Sequence, residues 1–381
     1  MLPQIIIMKD ILMQKILKLA FVCFLGACSS GNTGDYSAGD SYDFYVGTYT
    51  GGDSRGIYKF SLGADGIIIK HGLSALTENP SFLAWDAAGK YLLAVNETGP
   101  EGSVEAYRPE GDSLVLTGHA PSGGAHPCYV SLNKQGYVLA ANYSSGTVGL
   151  LRLGPQGELS GLLDISSHSG SGTTERQQSP HAHFASFDPD GSGVISVDLG
   201  TNELWFSTLD TTADKLITSE QEKLAMKKGA GPRHLAVHPG GEWLYVINEL
   251  NSTVTLVKKQ DGGLYSRGPS YSTLPEGFDD DNYCADIHLS ADGSFVYASN
   301  RGHNSIAIFK VDAKTGFLSL AGHSPSGGSW PRNFSLSPDG KYLLVANQHT
   351  NNIVSFLRDT ENGLLEAVDT ASVADPVCVR F

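Results

Sequence analysis

Trp330-Pro331-Arg332-Asn333-Phe334-Ser335-Leu336-Ser337-Pro338-Asp339-Gly340-Lys341-Tyr342-Leu343-Leu344-Val345-Ala346-Asn347 can be read as strand, turn and strand. Residues 332–336 form the first strand, Ser337-Pro338-Asp339-Gly340 carries residues that turns prefer, and 342–347 is an aliphatic second strand ending in Asn. Beyond it, 353–358 reads as a third strand, 359–363 as a turn and 364–368 as a fourth. The aliphatic phrase returns before Asn96, Asn142, Asn248 and Asn300, and Asp198 ends a sixth copy; the intervals are 46, 56, 50, 52 and 47 residues. Turns such as Asp86-Ala87-Ala88-Gly89, Asp188-Pro189-Asp190-Gly191 and Ser290-Ala291-Asp292-Gly293 fall at the same point of their copies. Repeats of about 40–50 residues made of short strands are the blades of a β-propeller.

Six copies follow this order, and the two ends of the chain supply a seventh. Residues 43–48, 56–62 and 67–71 give three strands, and 376–381 can give the missing inner one. Pairing the ends in one sheet would remove the open edges of the ring. The expectation is therefore an all-β, seven-bladed propeller over residues 43–381, closed by its terminal strands.

The N-terminal stretch reads differently. Lys15 and Lys18 precede the apolar run from Leu19 to Leu25, which ends in Leu25-Gly26-Ala27-Cys28. This resembles a bacterial lipoprotein signal over residues 1–27, with Met13-Gln14-Lys15 a sufficient start and Cys28 the lipid anchor. The run is well short of the roughly 20 residues that a membrane span needs. Residues 28–42, rich in Gly and Ser, read as a flexible tether, so membrane contact is expected through the lipid alone.

The net charge is −14, and −16 once residues 1–27 are removed, which argues against nucleic acid as a partner. With Cys23 in the signal and Cys28 lipidated, only Cys128, Cys284 and Cys378 remain. Their odd number and wide spacing give neither a disulfide framework nor a zinc motif, so buried thiols are expected. His181-x-His183 lacks a defined third metal ligand, and no cofactor is expected.

In an up-and-down blade the start of the inner strand and the end of the second strand lie on one face near the central axis. The first position carries His126-Pro127, His181-Ala182-His183, Arg233-His234 and Arg332; the second carries Asn96-Glu97, Asn142-Tyr143, Asn248-Glu249, Asn300-Arg301 and Asn347-Gln348. The recurring Asn suits a frame role in bonding local backbone, whereas its neighbour varies from copy to copy. His183, Arg233 and Arg332 fall at equivalent places, as do Glu249 and Arg301. Paired arginines suit a carboxylate, a phosphate or a developing oxyanion, and Glu or His can take a proton from water.

The phrases Tyr45-Val46-Gly47-Thr48-Tyr49, His126-Pro127-Cys128-Tyr129-Val130, Pro180-His181-Ala182-His183, Gly231-Pro232-Arg233-His234, Asn300-Arg301-Gly302-His303-Asn304 and Trp330-Pro331-Arg332-Asn333-Phe334 resemble the seven-bladed propeller lactonases. That family includes propeller 6-phosphogluconolactonases and a fungal carboxy-muconate lactonising enzyme. The resemblance implies a metal-free site with Arg233, Glu249, Arg301 and either His181 or His183 as catalytic residues. His126, Asn142, His234, Arg332 and Asn347 complete the expected substrate-binding set. The activity implied is hydrolysis of a small anionic or sugar lactone; an export signal favours an unphosphorylated aldonolactone. A non-catalytic envelope propeller that binds a glycan or protein, and a muconate-type cycloisomerase, are the alternatives. The insertions 166–179 and 268–284 join a fourth strand to the next inner strand and should overhang the mouth.

Overall fold

A computed structural model describes residues 41–189 and 191–381. The expected signal, Cys28 and nearly all of the tether lie outside the described residues, as does Asp190 in one turn. At the tether's end, Tyr42 already opens the first strand, Tyr42–Thr48.

Among the described residues, 28 strands form seven four-stranded antiparallel sheets. Blades 1 to 6 span 83–121, 127–167, 182–225, 232–272, 283–325 and 331–372. Blade 7 joins strands within 42–76 to the inner strand Pro376–Arg380, with Val46 opposite Val379 and Gly47 opposite Cys378. The split blade is as expected.

The second strand of each blade is aliphatic throughout because neighbouring blades cover both of its faces. Tyr342–Asn347 is buried at every position: Tyr342, Leu344 and Ala346 pack on blade 7, while Leu343 and Val345 pack on blade 5. Outer strands such as Leu365–Ser372 alternate with solvent. Seven apolar clusters fill the seams, one between each pair of adjacent blades, so the ring has distributed cores and no single centre. The turns hold their register locally: Ser337 Oγ accepts Tyr342 N–H at 2.9 Å and donates to Asp339 Oδ1, while Gly340 takes a φ of +68°, which favours glycine.

The insertion before blade 5 is shorter than expected. The fourth strand of blade 4 runs Tyr265–Ser272, straight through Gly268 and Pro269. It is the outer edge of its sheet, where a missing N–H costs no ladder bond. The loop proper is 273–282, and Asp279, Asp280 and Asp281 are exposed in it.

Candidate active site

The inner strands share a defect that makes the site. In blade 2, Pro127 pairs with Asn142 and Tyr129 with Ala141, leaving Cys128 as an extra residue. The same bulge leaves His183 extra in blade 3, Arg233 in blade 4 and Arg332 in blade 6. A bulge bends the strand and re-aims the extra side chain, and here the four converge on the axis. Above them, the residues at or just past the ends of the second strands complete the mouth: Tyr49, Glu97, Tyr143, Glu249 and Arg301.

Glu249 is the hub. Its Oε2 accepts Arg301 Nη2 at 2.8 Å, and Arg233 Nε lies 3.1 Å from the same oxygen, close enough for an ion pair although poorly angled for a hydrogen bond. Oε1 accepts Arg176 Nη2 at 3.0 Å. Glu249, Arg233 and Arg301 are each less than 5% exposed. Burial alone would raise the Glu249 pKa; Arg301, Arg233 and Arg176 outweigh it and hold the carboxyl at about 2. Burial, Arg301 and Arg332 lower Arg233 to about 10, still charged at neutral pH. Backbone carbonyls fix both guanidinium groups: Arg233 Nη1 donates to Ala285 O, and Arg301 donates from Nε to Tyr283 O and from Nη2 to Cys284 O. Arg332 donates to Tyr49 Oη at 2.6 Å, and the Tyr49 hydroxyl donates to Glu97 Oε2 at 2.8 Å.

The two imidazoles differ. His181 is half-buried; its ring lies flat on Tyr143, with centroids 4.5 Å apart, and its Nδ1 is 3.0 Å from Tyr143 O. A carbonyl only accepts, so Nδ1 carries a proton, and in the neutral ring Nε2 holds the lone pair. The backbone N–H of His181 is tied to Asp198 Oδ1 at 2.9 Å. His183 is buried beside Cys128 Sγ, at 3.6 Å, and burial with Arg233, His234 and Arg332 nearby pushes its pKa well below the usual range, so the ring is neutral. Burial likewise pushes the Cys128 thiol up, leaving it protonated.

The insertion 166–179 lies over this mouth. A short 3₁₀ turn, Glu175–Gln177, presents Arg176, which also donates to Tyr143 Oη at 3.0 Å. Gln177 is fully buried and donates to Leu199 O, and His168 bonds Asp198 Oδ2 at 2.8 Å. The loop is thus pinned at two points. A continuous path of contacts runs from His181 through Tyr143 and Arg176 to Glu249 and its arginines. The cleft of about 250 Å³ between the outer strands of blades 3 and 4 contains no arginine or histidine.

The profile of the family "Lactonase, 7-bladed beta-propeller" matches residues 43–381. The chain belongs to the seven-bladed β-propeller lactonase family. It is 37% identical over 346 residues to the 6-phosphogluconolactonase of Bacillus subtilis, covering 89% of this chain and 98% of that one. It superimposes on the periplasmic gluconolactonase of Pseudomonas aeruginosa with a TM-score of 0.86 at 30% identity, over 90% of this chain and 99% of that one. A Lactobacillus plantarum protein of known structure is similar too, with a TM-score of 0.84 at 33% identity over 90% and 99% of the two chains.

Within this lactonase fold, Arg233, Glu249, Arg301, Arg332, His181 and His183 come together, and His126 is exposed at the rim. Three of the residues expected to contact substrate are buried and bonded within the protein. Asn142 is fully buried: its Nδ2 donates to Ser122 O at 3.0 Å and its Oδ1 accepts Ser122 Oγ at 2.6 Å. Asn347 is equally buried and donates to Ser326 O at 2.9 Å. Both hold strand ends. His234 lies one layer below the arginines, with Nδ1 2.8 Å from Asp286 Oδ1 and Nε2 3.4 Å from Arg233 Nη1; it supports Arg233 from beneath. Tyr49, Tyr143, Glu97 and Arg176 were not in the expected set. The first three occupy the same repeat position as Glu249 and Arg301, so the internal alignment carried the signal. Arg176 had none beyond its place in an overhanging loop. Among the described residues no three His, Cys, Asp or Glu side chains gather as a metal-holding group, and no helix is long and apolar enough to cross a membrane.

Proposed function

We propose that this mouth hydrolyses an unphosphorylated sugar lactone. The observation that carries the reading is the buried Arg233–Glu249–Arg301 cluster, linked through Arg176 and Tyr143 to an imidazole whose Nδ1 is already committed. Water attacks the lactone carbonyl carbon and gives its proton to His181 Nε2. The carbonyl oxygen becomes an oxyanion that accepts N–H groups of Arg233 and Arg301, held in place by Glu249 and therefore needing little reorganisation. The ring C–O bond then breaks, the leaving oxygen takes the proton back from His181, and the hydroxy acid formed loses a proton to solvent.

Glu249 is a poor base for this step, since a carboxyl held at about 2 binds protons weakly at neutral pH. Its role in this scheme is to align the arginines. Substrate choice follows from how the cations are already used: Arg176, Arg233 and Arg301 share Glu249, and Arg332 is bonded to Tyr49. The guanidinium groups keep N–H donors for one developing oxyanion, while Glu97 and the tyrosines suit the hydroxyls of a neutral polyol. The likeness to a periplasmic gluconolactonase supports an exported protein with such a substrate.

His181→Gln is expected to lower kcat by about 10²–10⁴-fold with KM little changed, and added imidazole should restore part of the rate. His183→Gln should cost less than about tenfold, since a buried neutral ring there shapes the wall. Steady-state kinetics of the two variants decide between them; the reverse ranking would transfer the base role to His183.

Lipid anchoring at Cys28 is part of the same proposal, supported by the Leu25-Gly26-Ala27-Cys28 sequence. Mass spectrometry of the mature chain should find residue 28 at the N-terminus with an acyl modification, and Cys28→Ser should abolish both. An unmodified Cys28 in the mature protein would exclude the anchor.

A further inference from the structure

The inner strands line a second cavity, below the mouth. Beneath the arginine layer, Phe82, Tyr129, Phe184, His234 and Asp286 form a partition, with ring centroids 4.1 Å apart for Phe82 and Tyr129 and 4.4 Å for Tyr129 and Phe184. On the far side of this partition lies a cavity of about 390 Å³, within the range of small-molecule sites. Its floor is the aromatic trio, and His288 and Arg380 stand at its sides.

The charges there are unequal. Asp286 is spent: its two oxygens take His234 Nδ1 at 2.8 Å, His288 Nε2 at 2.9 Å and Asn333 Nδ2 at 2.6 Å. Arg380 makes no ion pair among the described residues, and its buried Nε has no hydrogen-bond acceptor. Its Nη groups have no partner among the described residues either and, unlike Nε, are not sealed off, so they are the donors a ligand can meet; the strand that closes the ring, opposite Tyr45, holds Arg380 in place. A cation lacking an acceptor beside an aromatic floor is complementary to one kind of ligand. A sugar would leave hydroxyls unpaired against Leu235, Val237 and Ile287, and a bare inorganic anion would leave the floor unused.

We propose that this cavity is a second, non-catalytic binding site for a small aromatic carboxylate, whose carboxylate bonds Arg380 and whose ring packs on Phe82, Tyr129 and Phe184. The site is separate from the catalytic mouth and does not depend on the lactonase reaction.

The test is calorimetric titration of the full-length protein with benzoate, using benzamide and inorganic phosphate as controls. Benzoate should bind with a Kd on the order of 1 mM, and the two controls much more weakly. Arg380→Gln should raise the Kd by at least about tenfold. Ala291→Trp, placed at the exposed rim where it fills the opening without entering a core, should abolish binding even if Arg380→Gln proves unstable. Arg233→Ala should leave benzoate binding unchanged. Absence of benzoate binding, binding unaffected by both cavity substitutions, or binding lost in Arg233→Ala would each overturn the proposal; the last would place the anion in the catalytic mouth.

Discussion

Replacing Arg233 by alanine is expected to lower kcat/KM for lactone opening by about 10³-fold. The arginine is the extra residue of a bulge, so its backbone is fixed by pairing on either side, Pro232 with Asn248 and His234 with Ile247. Its guanidinium is oriented by Ala285 O and Glu249, with His234 beneath. A preorganised donor of this kind stabilises charge that exists only in the transition state, and losing one such donor costs about 10²–10³ in rate. The upper end applies because the alanine also leaves Glu249 short of one of its three cations. The loss should fall mainly on kcat, since the ground-state carbonyl gains little from the same contact. Steady-state kinetics with Arg233→Lys beside it gives the check. Lysine restores the charge without the planar fork and should recover only part of the rate. Wild-type kcat in Arg233→Ala would remove the arginine from the chemistry.

Glu249→Ala should have the largest effect on stability, about 3–5 kcal/mol at neutral pH, because it leaves Arg233 and Arg301 buried and unpaired. The effect has a defined pH dependence. The Glu249 carboxyl moves from 4.5, its ordinary value, to about 2 in the folded protein. A depressed folded pKa contributes stability that is complete above the unfolded value and is lost as pH falls through the folded one. Between pH 7 and pH 3 the wild type should therefore lose about 2 kcal/mol from this group, a loss the alanine variant cannot show. Urea denaturation of both proteins at the two pH values should show the gap between them narrowing by about that amount. A constant gap would mean that Glu249 is not held by its arginines.

The blades were legible because each is coded locally: a turn such as Ser337-Pro338-Asp339-Gly340 and an aliphatic strand covered on both faces leave a repeating signature. The positions of the mouth followed from that repeat, and Arg233, Glu249 and Arg301 with them. The bulges were not legible, because an extra residue such as Cys128 or Arg233 looks like any other member of its strand until the partner's register is known. The recurring Asn read as a frame residue, and Asn142 and Asn347 do turn their amides inward to satisfy local backbone, although both also stood in the expected substrate-binding set. His234 and Asp286 belong to different blades, and only the closed ring brings them to 2.8 Å. The path that places Arg176 over Glu249 depends on the buried Gln177 and on the His168–Asp198 bond, contacts made across the loop and invisible in its composition.

The most direct test is proton release from unphosphorylated and phosphorylated aldonolactones, measured by pH-stat on the purified protein with spontaneous opening subtracted and with chelator present. The account predicts acceleration that survives the chelator, is greater for the unphosphorylated lactone and disappears in His181→Gln. No acceleration on any lactone, or the same acceleration in His181→Gln, would contradict it.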